Sequence, residues 1–81
     1  MTATLKDDAK ALKAAMVAEC QLVGIPRYLS KLAFYVIEDG PDKLRVDYSA
    51  AAIDASGVLA LINRAKSPDF KRSVRVGVGI H

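Results

Sequence analysis

Few side chains in this sequence can do chemistry, and they are scattered. The single histidine, His81, is the last residue. Imidazole metal sites and proton relays need companion ligands, and this one has neither a second histidine nor a cysteine beside it. With one cysteine, Cys20, there is neither an intrachain disulfide nor a cysteine-based zinc site. A nucleophilic thiol needs a base and a group to orient that base. Cys20 instead falls on the apolar stripe of a helix, with no basic neighbour in sequence to activate it, and reads as a small core residue. Glu38, Asp39 and Asp42 crowd one short stretch without the spacing of a calcium loop. Carboxylates that act as acid and base need a cleft to separate their pKa values, and a hairpin tip has none. Gly77-Val78-Gly79 is a bare G-x-G with only Ile80 and His81 after it. A phosphate-cradling loop needs a following helix, so none is expected here. No residue set meets the geometric roles of a reaction. The expectation is a non-enzyme with no catalytic residues, no cofactor and no metal.

The cations give a second possibility. Residues 55–81 carry Arg64, Lys66, Lys71, Arg72 and Arg75 against Asp69 alone, while residues 1–54 carry seven basic and eight acidic groups. The net charge of +3 is thus a property of the C-terminal third. Phe70-Lys71-Arg72 with Arg75, and Arg27-Tyr28 with Lys31, place aromatics among cations. Sheet-based RNA and single-strand binders stack bases on such rings and pair phosphates with the neighbouring cations. The glycine-flanked aromatics of an RRM strand and the GXXG of a KH domain are absent. A nucleic-acid binder using this basic face is therefore the alternative, not the favoured reading.

Eighty-one residues, 52% apolar and 26% charged, suit one folded domain spanning 1–81. A fold this small without disulfides relies on tight packing or on self-association. The first eight residues have no apolar signal core and no stretch is long enough to span a membrane, so a cytoplasmic protein with Cys20 reduced is expected.

Leu5, Ala9, Leu12, Met16, Cys20 and Val23 recur at helical spacing and predict a helix from about residue 4 to 23. Thr4 is the expected N-cap, with Asp7 completing a capping box and Gly24 ending the helix before Pro26. Thr4→Ala is expected to cost about 1 kcal/mol. Lys6, Lys10 and Lys13 share a flank of this helix and read as a solvated face. Leu32 to Ile37 is apolar at both alternating sets of positions, which predicts a central strand covered on both sides. Glu38 to Asp42 is rich in turn formers and reads as a hairpin loop. Lys43 to Tyr48 alternates, with Leu44, Val46 and Tyr48 inward, and predicts a half-buried antiparallel strand. Ser49 to Ile53 fits either a strand extension or a helix start. Asp54 or Ser56 caps a second helix in which Val58, Leu61, Ile62 and Ala65 share a face, ended by Ser67-Pro68. A last strand is expected from Lys71 to Ile80, long enough to overhang its partner, with Gly77 and Gly79 leaving one face bare.

These elements predict an α+β domain, helix-strand-strand-helix-strand. The expected sheet is three-stranded and mainly antiparallel, in order 2-1-3, with two helices packed on one face. The order of elements is similar to that of the BON domain, a family that usually carries glycine in its second strand, where Lys43 to Tyr48 has none. The resemblance is one of element order, and no function is taken from it. The other sheet face would be left open, and a second copy of the chain is the simplest cover for it. The favoured expectation is a small, non-enzymatic interaction module. It would be a homodimer that binds or inhibits a protein partner, like short phage- or plasmid-borne accessory proteins. Lys66, Lys71, Arg72, Arg75, Gly77, Gly79 and Tyr35 are its candidate contact residues.

Overall fold

A computed structural model describes residues 4–26 and 33–78 of the chain. Its elements run in the order α1 (Leu5–Leu22), β1 (Phe34–Glu38), β2 (Lys43–Tyr48), α2 (Ala55–Ala65) and β3 (Ser73–Val78).

The first helix starts and stops where local chemistry dictates. The Thr4 hydroxyl accepts from the Asp7 N–H at 3.1 Å, and the Asp7 carboxylate accepts from the Thr4 N–H at 3.4 Å, closing the capping box. At the other end the Ile25 N–H reaches the Cys20 carbonyl and the Gly24 N–H reaches that of Gln21. Those two bonds form a Schellman motif, which requires a left-handed residue, and Gly24 supplies it at φ 86°. Ala9, Leu12, Met16 and Cys20 are the buried stripe between the caps.

The hairpin closes through the Asp39 N–H on the Lys43 carbonyl, and Phe34 stands opposite Tyr48 in antiparallel register. Ser49 to Ile53 is neither strand nor helix but a turn, in which the Ala52 and Ile53 N–H groups both reach the Ser49 carbonyl. Asp54, not Ser56, caps α2 by accepting from the Gly57 N–H at 2.7 Å, while the Ser56 hydroxyl braces the same oxygen. Lys66 is extended and ends α2 one residue before Ser67-Pro68.

The expected strand order 2-1-3 is corrected. The sheet runs β1-β2-β3 and is mixed, with β1 antiparallel and β2 parallel to its neighbour β3. α2 is 11 residues, or about 17 Å, close to the length of β2. The helix therefore returns the chain to the start of β2, and β3 fills the vacant side of that strand. β1 is an edge strand, so the expectation that it lies in the middle, covered on both sides, fails. Its two apolar sets divide instead: Phe34 is fully buried, while Tyr35 and Ile37 are each 42% exposed. Leu32 lies outside the described residues. β3 matches β2 residue for residue, from Ser73 beside Lys43 to Val78 beside Tyr48. The expected overhang falls on Gly79 and Ile80, outside the described residues.

Both helices lie on one face, as expected. The α1 stripe and Val58, Leu61 and Ile62 of α2 form a single core with Phe34, Leu44, Val46 and Tyr48. Val74 and Val76 extend it from β3, and Phe70 seals its end.

Candidate functional site

With both helices on one side, no element among the described residues covers the opposite face of the sheet. Across it, the register sets Tyr35 beside Asp47 and Ile37 beside Arg45, then Arg45 beside Arg75 and Asp47 beside Gly77. This face is not the greasy wall that the apolar Leu32–Ile37 stretch implies. Its apolar part is confined to Tyr35 and Ile37 at one edge. Its middle is an ion pair within β2, in which Arg45 Nε meets Asp47 Oδ1 at 2.6 Å and Arg45 Nη2 meets Oδ2 at 3.0 Å. That hydrogen-bonded guanidinium holds the Asp47 carboxyl below its ordinary pKa.

Gly77 explains how the pair fits. A Cβ there would sit 3.4 Å from Asp47 Oδ1 and 3.7 Å from Arg45 Nε. The bare strip on β3 is therefore the space into which the pair settles, and alanine would only touch it. Arg75, also on this face, is 72% exposed, with Asp39 loosely beside it at 3.7 Å. At the β1 edge the Lys13 ammonium stands 4.3 Å from the Tyr35 ring centroid, a cation–π contact that reaches from α1 to the sheet. Partial burial lowers the Lys13 pKa.

The basic residues near the start of β3 do not form one patch. Arg72 is only 17% exposed in its side chain and is held by two carboxylates. Its Nε meets Asp8 of α1 at 2.7 Å, and its Nη1 bonds Asp42 of the hairpin loop. Arg72 thus ties together three segments remote in sequence. Lys71 lines a hollow beside it that also contains Asp8, Asp42 and Asp69. Lys66 is exposed at the end of α2. So Tyr35, Arg75 and Gly77 are brought to the open face, Arg72 is drawn into the fold, and Lys66 and Lys71 stand on the connection between α2 and β3. Gly79, Arg27, Tyr28 and Lys31 lie outside the described residues.

The sequence reading missed the sheet edges. The bonds of Asp39 with Lys43 and of Ser49 with Ala33 fix the alternation along β2. Odd-numbered residues of β2 pair with β1 and even-numbered ones with β3. In β3 the main-chain groups of Ser73, Arg75 and Gly77 therefore turn toward β2, and those of Val74, Val76 and Val78 turn outward. In β1 the outward set is Phe34, Val36 and Glu38. Only a correct strand order gives this parity, and no residue type announces it.

Of the remaining candidates for chemistry, His81 lies outside the described residues. Cys20 is buried, and burial pushes its thiol pKa up, away from reactivity. Among the described residues no group of three or more His, Cys, Asp or Glu is placed to hold a metal ion. No described helix is long and apolar enough to cross a membrane. In comparisons with protein-family models, curated proteins and solved structures, the chain matches none.

Proposed function

We propose that the chain is a small, non-enzymatic interaction module that self-associates and engages a protein partner through its sheet. The observation that carries this is the outer edge of β3, which directs the main-chain groups of Val74, Val76 and Val78 away from β2 and has no strand beside it among the described residues. An unpaired edge is a template for strand addition, giving main-chain affinity with side-chain selectivity. Val78 is 58% exposed there and would be covered by the added strand. Two β3 edges joined antiparallel about a twofold axis make one six-stranded sheet from two copies. The open faces then form one surface bearing Tyr35, Ile37, Arg75 and the Arg45–Asp47 pair, offered to a protein partner.

The nucleic-acid alternative draws less support. Arg72 is engaged by Asp8 and Asp42, and Lys71 shares its hollow with Asp69. That leaves Lys66 on the α2–β3 connection and Arg75 on the open face, with no bare aromatic between them among the described residues to stack a base.

Sedimentation of the chain and of Val76→Pro is the test. The Val76 N–H points away from β2, so proline there removes a donor from the free edge and spares every bond to β2. The expected result is a dimer at tens of micromolar for the parent and a folded monomer for the variant. A clean monomer of the parent chain at that concentration removes the reading.

A further inference from the structure

Lys6, Lys10 and Lys13 of α1 face Val36, Ile37 and Glu38 of β1 across an open groove of about 440 Å³, floored by Ala9. Val36 belongs to the inner sheet face and Ile37 to the outer one. A hollow that touches both must run along the free edge of β1. That edge also carries the outward main-chain groups of Phe34, Val36 and Glu38. The groove thus combines a strand edge with no strand beside it among the described residues, an aliphatic floor, and Lys6 and Lys10 against Glu38, with Lys13 already over the Tyr35 ring.

We propose that this groove binds an extended acidic peptide as a fourth strand beside β1, its backbone pairing with Phe34, Val36 and Glu38 and its carboxylates meeting Lys6 and Lys10. The spacing fits. Lys6 and Lys10 are ~6 Å apart along the helix axis, from four rises of about 1.5 Å. Residues on one side of a strand repeat every ~6.8 Å. Acidic side chains at alternate positions therefore fall opposite successive lysines on the α1 side, and the residues between them turn to the outer face beside Ile37. A nucleic acid fits less well, because none of the described residues lining the groove is aromatic and the nearby Tyr35 ring already carries the Lys13 ammonium. This site lies at the opposite edge of the sheet from β3, so its failure would leave self-association untouched.

The probe is a fluorescein-labelled peptide of alternating glutamate and valine, followed by anisotropy and by amide exchange of the chain. We expect saturable binding and slowed exchange at the Val36 N–H. Lys10→Gln should weaken binding about threefold and the double variant Lys6→Gln/Lys10→Gln about tenfold, each confirmed as folded by circular dichroism. The same peptide with all its backbone amides methylated keeps its charge but loses every main-chain donor, and should bind at least about tenfold more weakly. Equal binding of the methylated peptide, unchanged exchange at Val36, or tighter binding of labelled oligothymidylate with the same lysine dependence would each overturn the assignment.

Discussion

The two faces of the sheet are built from the same three strands by opposite means. On the inner face Phe34, Leu44 and Val46 are fully buried under two helices. On the outer face the same strands present Tyr35, Ile37, Arg45 and Arg75 to solvent, with Asp47 largely covered by its ion pair with Arg45 and Lys13 over the Tyr35 ring. Stability is concentrated on one side, so the other side is free to change its chemistry without unfolding the molecule. An interaction surface needs that separation.

The contrast is most easily broken from inside. Phe34→Ala removes the largest fully buried side chain and should cost about 3–5 kcal/mol in urea unfolding. For a domain this small that is enough to leave much of it unfolded in buffer. Arg72→Ala comes next. It releases Asp8 and Asp42 together, and thermal melts should show a clear fall, whereas Arg75→Ala should leave the melting temperature within error. A smaller effect belongs to acid. The folded pKa of Asp47 is depressed, so its contribution is present above the unfolded carboxylate value near 3.9 and is lost as pH falls through the folded value. Asp47→Asn should lose that contribution at neutral pH and flatten the acid limb of the stability profile, so that variant and parent converge below about pH 4. The smallest effect is expected from Ile37→Ser, within about 0.5 kcal/mol in the same urea assay. A cost there near that of Phe34→Ala would show that the outer face is a second core.

The helices and their ends were legible in the sequence because caps are local. Thr4, Asp7, Gly24 and Asp54 act on groups within a few residues of themselves. The inward set Leu44, Val46 and Tyr48 was legible for the same reason, since alternation reports on faces. Strand order was not, because it is decided at strand edges, where main-chain groups look alike whatever the side chain. The apolar character of β1 on both sides points to the middle of the sheet, yet the alternating β2 occupies that place. The middle strand needs neighbours on both edges, not cover on both faces. The candidate contact residues were legible as exposed types but not as a constellation. Nothing in Phe70-Lys71-Arg72 announces that Arg72 turns toward carboxylates at positions 8 and 42. The bare face at Gly77 is legible in the sequence, but not that Arg45 and Asp47 settle into it.

β2 is bonded antiparallel to β1 and parallel to β3, and those two seams close on different terms. The hairpin seam forms across a short loop, whereas the parallel seam must wait for the whole crossover through α2. β3 is therefore the last strand to arrive in folding and the first able to leave. While it is away, a vacant slot on β2 stands open to the β3 of another molecule, and strand exchange becomes the characteristic hazard of this architecture.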